Sequence, residues 1–548
     1  MLKLDKTGQY NNDNSAKHSK VFTRILYFLF SVPFIVFILT ELRFDVNMPN
    51  WDDYDSVLNW LSNWISDKSL LSRIDLLFRQ HNEHRIVWDR IIEILELYLV
   101  GNVNFVYLDF FGAGGLFLFV AAIALMAKEA GLGLPCLIPI SFFMLTFAQY
   151  NLVSFSMASI QVYWSLLFSA ISFYFVSKNS SKNSFINGFI FSTFSSFTSA
   201  GGLIGFPAVL LYCVLTKKYF FASFWAIGSA IIFLVYFIYF PYHQTTIGIA
   251  SHRYAYSHLW QYIKYILLFL GNISPWRGFS IFLGTILLCV SVYIILLARI
   301  PEKDWIIITL IFLLATAAAA GLSRIGLSTT QALSSRYTIF GATLLTVNYI
   351  SVSASLRGSR FSYRIGASIA ILFYTMWFRP GLESMSTTKM LMTNSLRYPV
   401  QSEAYSILKK AMDQNIFLPL YSIYRNLPNA MPIKTRSLYH AGYLGKIDSI
   451  NVSGGLLKIR GWAALPPRDM PAAAVIVKLD HKYYPTVYGL SRPDVMNHFQ
   501  NKNYRYTGFE STIAVPKSAN GICILSLVAV GPDRVSFYQS PTKTYSCH

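Results

Sequence analysis

The chain begins its first long apolar segment with FTRILYFLFSVPFIVFILT, residues 22–40, which follows a polar, lysine-rich start. A helix that crosses a bilayer needs about 20 mostly apolar residues. This segment is too long for the core of a signal peptide, and no small-residue cleavage site follows it. We therefore expect residues 1–21 to form a cytoplasmic tail and residues 22–40 to form a retained first transmembrane helix.

Further apolar segments follow along the chain. Of its 548 residues, 54% are hydrophobic and only 13% are charged, whereas soluble domains carry about a quarter charged residues. The sequence therefore predicts an α-helical polytopic membrane protein, with a transmembrane domain at residues 22–380. We expect about eleven spans, at residues 22–40, 106–126, 133–150, 158–176, 185–200, 202–216, 219–240, 278–298, 305–321, 337–354 and 365–379.

Basic residues favour one orientation of these spans. If there are eleven, one side of the membrane receives the basic N-terminus together with Lys128, Lys178, Lys182, Lys217, Lys218, Arg299, Lys303, Arg357, Arg360 and Arg364. Cytoplasmic loops are enriched in Lys and Arg, so we expect the N-terminus in the cytoplasm and the C-terminal domain outside. The same distribution explains the net charge of +20 through membrane lipids. We expect no nucleic-acid partner.

Two regions make the number of spans uncertain. The segment 262–273 is short and precedes Ser274-Pro275, so we expect an interfacial or re-entrant helix on the outer side. The pair 185–200 and 202–216 surrounds Gly201-Gly202, and each arm is shorter than a comfortable span. The alternative is a hairpin that dips toward the outer, active face.

The last part of the chain has a different pattern. Short alternating segments such as 456–462, 474–479 and 522–530 lie between turn signals, which is typical of an antiparallel β-domain. We expect a linker at residues 381–445, with some helix at 402–414, and an outer β-domain at residues 446–548. Cys523 and Cys547 lie in that domain, and whether they pair is left open. No Cys/His spacing predicts a metal site.

The first outer loop, residues 41–105, carries the candidate chemistry. It opens with Trp51-Asp52-Asp53-Tyr54-Asp55 and later contains His81-Asn82-Glu83-His84-Arg85, between two expected amphipathic helices at 56–65 and 85–99. Crowded carboxylates raise one another's pKa, which suits a general base. We expect the base to be Asp53, then Asp52, with Asp55 and Glu83 in reserve. The alternative is a solvated loop.

This arrangement resembles the membrane-embedded GT-C type glycosyltransferases. The first-loop DDxD and EHR motifs are most similar to those of the serotype-converting (Gtr-type) glucosyltransferases that modify O-antigen of lipopolysaccharide. The resemblance implies transfer of a sugar, expected to be glucose, from undecaprenyl-phosphate-sugar to a lipid-linked glycan. It also implies a place in the bacterial inner membrane, a periplasmic C-terminal domain, no cofactor, and membrane lipids as partners.

A late outer loop adds two arginines, in Ser323-Arg324 and in Ser335-Arg336-Tyr337. Guanidinium groups match phosphate oxygens, and the resemblance assigns the carrier's phosphate to Arg336 first and Arg324 second. Tyr337, His84 and Arg85 are further candidates for this donor site. The alternative is anchoring to lipid headgroups.

Other features leave alternatives open. Many related enzymes have an acid in the next outer loop, but residues 149–156 contain no carboxylate, so the requirement for a divalent metal stays open. The series Gly461-Trp462-Ala463, Arg492-Pro493-Asp494-Val495 and Gly508-Phe509 either defines the fold or contacts a polysaccharide. An O-antigen polymerase or ligase, or a lipid or sugar transporter, remains an alternative function.

Overall fold

The computed structural model describes residues 12–178, 181–298, 303–397, 403–418, 438–439, 444–453, 456–465, 470–472, 474–480, 482–514, 522–530 and 537–546. These residues form a large helical part followed by a small β-region. The helices are α1 Asn12–Phe44, α2 Trp60–Ser66, α3 Leu70–Phe78, α4 Val87–Val100, α5 Phe105–Glu129, α6 Leu134–Met144, α7 Ser156–Lys178, α8 Lys182–Thr198, α9 Gly205–Leu215, α10 Tyr219–Leu234, α11 Thr246–Ser257, α12 Leu259–Leu270, α13 Arg277–Leu296, α14 Lys303–Arg324, α15 Thr338–Ser355, α16 Arg360–Arg397, α17 Glu403–Asp413 and α18 Pro493–Phe499.

Within the described part of the chain, eight helical segments are long and apolar enough to cross a membrane. They are Lys20–Phe44, Phe105–Glu129, Ser156–Lys178, Tyr219–Tyr239, Arg277–Leu296, Asp304–Arg324, Ser335–Ser355 and Arg360–Ser386. Eight of the eleven predicted spans correspond to these segments, which confirms a multi-pass membrane protein. The spans predicted at 133–150, 185–200 and 202–216 form the shorter helices α6, α8 and α9. The 11 residues of α6 reach only about 16 Å at 1.5 Å per residue.

The connectors after alternate predicted spans meet at the same end of the helical part. The connector after the second predicted span, 106–126, contains Glu129, and the connector after the fourth, 158–176, contains Lys178. The Lys178 Nζ and Glu129 Oε1 atoms lie 2.8 Å apart. The connectors after the sixth and eighth spans are joined by Lys218 and Asp304, at 3.8 Å. The remaining connectors, including the first loop, surround a cavity described below. This alternation agrees with the order of spans that the sequence predicted.

The short helices α8 and α9 form a hairpin whose tip points to the first loop. A 3₁₀ turn at Ala200–Ile204 separates them, and α8 packs on α7 through serine hydroxyls, with Ser165 Oγ and Ser195 Oγ 2.9 Å apart. At Gly202 the chains approach so closely that a Cβ atom would lie 2.3 Å from the carbonyl carbon of Ser195. For residues 185–216, the two predictions, a pair of short spans and a dipping hairpin, both stay predictions.

The segment predicted to be interfacial is also a short helix. α12 has 12 residues and ends at a turn, Gly271–Ser274, before α13 begins. It is too short to cross the membrane alone. Its outer surface carries Leu259 and Trp260, both largely exposed, as expected of a helix that lies at an interface.

In the first loop, both predicted amphipathic helices are present. The first spans residues 54–66, as a π-helical turn at Tyr54–Asn59 followed by α2, and the second is α4. The sequence analysis missed α3 between them. Arg90 Nη1 of α4 donates to the C-terminal carbonyls of α3, Leu76 O at 3.0 Å and Leu77 O at 2.8 Å. Together these helices form a compact layer over the end of the membrane helices.

The predicted boundary at residue 380 is not a break in structure. α16 continues without interruption to Arg397, and α17 confirms the helix predicted at 402–414. After α17 the chain returns to the first loop, where Val103 N donates to Ile416 O at 2.7 Å and Asn47 Nδ2 donates to Leu418 O at 3.0 Å. These two hydrogen bonds therefore attach the linker to the first loop.

The C-terminal region forms two antiparallel-dominated sheets. One sheet orders β2 (Leu444–Ser453), β3 (Leu456–Leu465), β8 (Gly508–Ala514) and β7 (Val487–Leu490), and β4 (Met470–Pro471) pairs with β3. The other orders β1 (Leu438–Tyr439), β10 (Phe537–Gln539), β9 (Ile522–Val530), β5 (Ala474–Leu479) and β6 (Lys482–Pro485), and β11 (Lys543–Ser546) pairs with β9. The three predicted strands lie in β3, β5 and β9. Cys523 is disulfide-bonded, whereas Cys547 lies outside the described residues.

Residues of the predicted motif in this region contact one another and β2. Arg492 bonds Asp494 and Asp448, each with a nitrogen–oxygen distance of 2.6 Å, which joins the start of α18 to β2. Trp462 packs with Val495 and Tyr504. These contacts are consistent with a fold-defining role, and contact with a polysaccharide stays the alternative prediction.

Candidate functional site

The first loop turns sharply where its acids begin. Trp51 has a left-handed backbone conformation, with φ of 52°, and Asp53 accepts hydrogen bonds from two backbone N–H groups: Asn50 N at 3.0 Å and Met157 N at 2.9 Å. One carboxylate therefore fixes the turn and joins it to the start of α7. Asp53 is only 1% exposed, and its burial raises its pKa to about 7.

The sequence analysis predicted Asp53 as the first candidate for the base, but the structure places its carboxylate within the turn and not in the cavity. Both of its oxygens are engaged by backbone donors, and it does not line the cavity described next. Asp55 also lies apart from it, exposed, accepting from Asn59 Nδ2 at 2.8 Å. Asp52 is the member of the cluster whose side chain reaches the cavity.

A cavity of about 440 Å³ lies at this end of the membrane helices. Its wall comes from five connectors: the first loop, the chain entering α7, the α8–α9 hairpin, the chain after α10, and the loop between α14 and α15. Six of the predicted site residues line it, namely Asp52, Glu83, His84, Arg324, Arg336 and Tyr337. Residues far apart in the sequence thus converge on one space.

A tight turn presents Glu83 and His84 to this cavity. His81 and His84 exchange backbone hydrogen bonds of 2.8 and 2.9 Å, and Asn82 between them has φ of 49°, a conformation that Asn tolerates better than most residues. Asn82 Nδ2 also donates to Asp52 Oδ2 at 3.3 Å. The turn thereby holds the two sequence motifs of the first loop side by side.

Glu83 is paired with Arg324 from the end of α14. The two charged groups lie 2.5 Å apart, and their side chains are 15% and 18% exposed. Burial opposes ionisation of Glu83, but the hydrogen bond from Thr245 and the Arg324 guanidinium outweigh it, so the pKa of Glu83 is lowered. Glu83 is therefore an ionised partner of Arg324 and a poor proton acceptor at neutral pH.

His84 is held neutral by its surroundings. The backbone N–H of Ala200, at the tip of the α8–α9 hairpin, donates to His84 Nδ1 at 3.2 Å. Burial, followed by the charge of Arg324, lowers the pKa of His84 to about 3. Because Nδ1 accepts, the neutral ring carries its proton on Nε2, which makes His84 a hydrogen-bond donor and not a cation in the cavity.

Arg85, a predicted phosphate ligand, has a structural task. It is fully buried, and its guanidinium donates to backbone carbonyls: Nε to Tyr236 O at 2.8 Å and Nη2 to Phe240 O at 2.7 Å. It does not line the cavity. The loop is thereby fastened to the end of α10, and the assignment of Arg85 to phosphate is set aside.

Arg336 differs from the other arginines of the site. Its Nε atom is buried and has no hydrogen-bond partner within the described residues, and its guanidinium carbon lies 5.3 Å from the centre of the Tyr337 ring. Asp52 is near enough for its charge to act on Arg336. Buried donors normally have a hydrogen-bond partner, so the Nε atom of Arg336 is a donor available to a ligand in the cavity.

The sequence analysis missed several lining residues. The hairpin tip at 199–204 and the segment that contains Tyr242, Thr245 and His252 were not assigned to a site. Polar residues directly after the predicted span 219–240 were the available signal. The rest of the lining is largely apolar and includes Phe155, Phe237, Phe269 and Phe340.

A second group of acids, also missed, lies behind the first loop. Burial raises the pKa of Asp89 and Glu93 well above the ordinary range, and none of their four carboxylate oxygens has a hydrogen-bond partner within the described residues. Asp45, raised to about 9 by burial and by Glu41, and Glu96, raised to about 7 by burial, belong to the same region. Burial therefore favours the protonated form of these groups.

Comparisons of the chain with models of protein families, with curated proteins and with solved structures found no match. The resemblance to GT-C type glycosyltransferases therefore stays a prediction. Among the described residues, no group of three or more His, Cys, Asp or Glu side chains is suited to hold a metal ion.

Proposed function

We propose that this chain is a membrane glycosyltransferase that moves a sugar from undecaprenyl-phosphate-sugar to a lipid-linked O-antigen or another surface glycan. The observation that carries the proposal is the buried, partnerless Nε of Arg336 beside Asp52 in one cavity. A fixed cation suits the phosphate of the carrier. A neighbouring carboxylate suits the proton of an acceptor hydroxyl.

The proposed reaction inverts the sugar's anomeric carbon. The acceptor oxygen forms a bond to that carbon, the bond from the carbon to the phosphate oxygen breaks, and polyprenyl phosphate leaves with the electron pair. Asp52 takes the hydroxyl proton, and Arg336 stabilises the charge on the departing phosphate. His84 donates a hydrogen bond through Nε2, and the Glu83–Arg324 pair positions the turn that carries it.

The apolar part of the cavity supports a lipid-linked donor. Four phenylalanine side chains line it together with Thr316, Ala319 and Ala320 of the α14 span. A polyprenyl chain needs such an apolar surface next to a polar headgroup site. A free nucleotide-sugar would leave this surface without a ligand.

The positive-inside pattern supports placing the cavity on the periplasmic face of the bacterial inner membrane. In that compartment sugars are supplied on lipid carriers, and the C-terminal β-region would lie on the same side. Glucose is the first sugar to test, because the first-loop motifs are most similar to those of glucosyltransferases.

The decisive experiment incubates purified protein with polyprenyl-phosphate-glucose and a lipid-linked acceptor glycan. Product with one added sugar, together with released polyprenyl phosphate, is expected. If glucose is inactive, other carrier-linked sugars are tested in the same assay. Absence of transfer from every carrier-linked sugar would overturn the proposal, and carrier movement between vesicle leaflets without product would favour a transporter.

A further inference from the structure

A second cavity of about 450 Å³ lies beside the first. Its wall is formed by the end of α3, the turn that follows it, and the segment after α10. Three polar residues, Asn82, Gln244 and Thr245, line both cavities. The two spaces are therefore separated by no more than a shared row of side chains.

The second cavity has a different lining from the first. Asp75 and Arg79 lie in it as a pair, 3.2 Å apart and each half exposed, so their charges compensate each other. The guanidinium of Arg85, at its base, is occupied by backbone carbonyls. The amide of Gln80 is occupied by backbone groups, because its oxygen accepts from His243 N at 2.8 Å and its nitrogen donates to His243 O at 2.7 Å. The ring of His243 and the shared amides of Asn82 and Gln244 add donors and acceptors.

Such a surface suits hydroxyl groups. Paired ions, amides and an imidazole offer hydrogen bonds in both directions, and Phe240, Pro241 and the aliphatic parts of the polar side chains add an apolar surface against which a sugar ring can pack. A phosphate would need a free cation, and a lipid chain would need a continuous apolar wall. The lining therefore favours a neutral saccharide.

The position of Asn82 connects this cavity to the proposed chemistry. Its amide nitrogen donates to Asp52 Oδ2 at 3.3 Å, while the residue also lines the second cavity. A hydroxyl group that replaces or joins Asn82 at this carboxylate would come from the second cavity, in a site that also contains Arg336, whose Nε atom has no partner within the described residues.

We propose that the second cavity is the acceptor subsite and binds a neutral, hydroxyl-rich glycan, whose reacting hydroxyl reaches Asp52 past Asn82. This inference rests on the proposed function for the direction of transfer. The binding of the glycan itself is a separate property that an equilibrium measurement detects.

The test measures binding of two probes to detergent-solubilised full-length protein. One probe is an oligosaccharide released from the surface polysaccharide of the cells that make the protein, and the other is undecaprenyl phosphate. The double variant Arg79→Ala/His243→Ala should weaken oligosaccharide binding at least tenfold and leave undecaprenyl phosphate binding within twofold. Arg336→Ala should do the reverse. Lys68→Ala, an exposed basic residue of the same loop outside both cavities, is the matched control.

Three results would overturn the inference. They are no oligosaccharide binding by the unmodified protein, unchanged oligosaccharide binding by the folded double variant, and a tenfold loss of undecaprenyl phosphate binding by that variant. Folding is checked by thermal melting, and His243→Gln, which keeps a hydrogen-bonding group, should restore part of the binding. The expected crossed pattern without any sugar transfer would refute the proposed function and leave the glycan subsite standing.

Discussion

Asp52 and Asp53 are adjacent in the first loop, but we assign proton transfer to Asp52 and a structural role in the turn to Asp53. A substitution series distinguishes the two roles. Asp52→Asn should lower transfer by about 100-fold or more, the usual effect of losing a positioned proton acceptor, with little change in melting temperature. Asp55→Asn, in the same loop but exposed and outside the cavity, should transfer at a near-normal rate. Equal transfer rates for the unmodified protein, Asp52→Asn and Asp55→Asn would show that these two acids belong only to a solvated loop.

Asp53→Asn should give a third result in that series. The amide would turn an N–H group toward one of the two backbone donors that the carboxylate now accepts from, so the free energy of unfolding should fall by roughly 1–3 kcal/mol. The measurement is thermal melting beside the transfer assay.

We expect Arg336 to bind the sugar donor, polyprenyl-phosphate-sugar. Arg336→Ala is expected to weaken binding of polyprenyl-phosphate-sugar at least tenfold, since it removes the buried cation that we assign to the phosphate. Arg277→Ala is the matched control, because Arg277 is exposed at the start of α13 and lies outside both cavities. If the two variants bind the donor equally well, Arg336 serves only to anchor lipid headgroups.

At the scale of elements, the α8–α9 hairpin determines the position of His84. Gly202→Ala would place a Cβ atom 2.3 Å from the Ser195 carbonyl, so the tip must shift, and overpacking of this kind typically costs about 1–3 kcal/mol. Gly201→Ala meets no atom closer than 3.7 Å and should behave almost normally. Melting temperature and transfer rate distinguish them. Equal stability of the two variants would show that the tip adapts without strain.

The elements also show what sequence patterns predict well. Apolar length gave the eight long helices, because a bilayer imposes a minimum length on every crossing segment. The spans predicted at 133–150, 185–200 and 202–216 form the shorter helices α6, α8 and α9, and whether these cross the membrane stays a prediction. Alternation of polar and apolar residues predicted β3, β5 and β9, because successive side chains of a strand point to opposite faces of its sheet.

The candidate site was predictable in its outline and not in its detail. Motifs in two distant loops identified six residues that meet in one cavity. The choice between Asp52 and Asp53 depends on the left-handed turn at Trp51 and on a donor from Met157, 104 residues away from Asp53 in the chain. No local pattern encodes that contact, nor the one between Arg85 and the end of α10.

At the scale of the whole molecule, buried acids should make stability depend on pH. The pKa of Asp45 rises from 3.8 to about 9 and that of Asp53 from 3.8 to about 7, so the folded protein holds these protons more tightly than the unfolded chain. The stability that these two acids contribute should therefore be fully present below about pH 4 and be lost as the pH rises toward 9. His84 acts in the opposite direction only below pH 6.5, because its pKa is lowered from 6.5 to about 3. Melting temperatures between pH 5 and 9 measure this slope.

Isosteric variants identify the groups responsible. Asp45→Asn cannot ionise and should flatten the slope, whereas the exposed Asp55→Asn should leave it unchanged. A slope that is the same in Asp45→Asn and in the unmodified protein would mean that other groups control the pH dependence.

The contact between the linker and the first loop has a measurable role in the full chain. Phe417 is completely buried, and its ring centre lies 5.7 Å from that of Phe105. Phe417→Ala should destabilise by roughly 3–5 kcal/mol and open the first loop to limited proteolysis, with loss of transfer. Leu418→Ala, 43% exposed, is the neighbouring control. Resistance to proteolysis in both variants would show that the loop holds itself.

That contact also determines when, during synthesis, the site can form. A ribosome completes the first loop hundreds of residues before it makes Ile416 and Leu418, which bond to Val103 and Asn47. While the intervening residues are being synthesised, the first loop is already outside the membrane but lacks its hydrogen bonds to the linker. A nascent chain should therefore acquire its site only near the end of translation, which delays its chemistry until every membrane helix has been inserted.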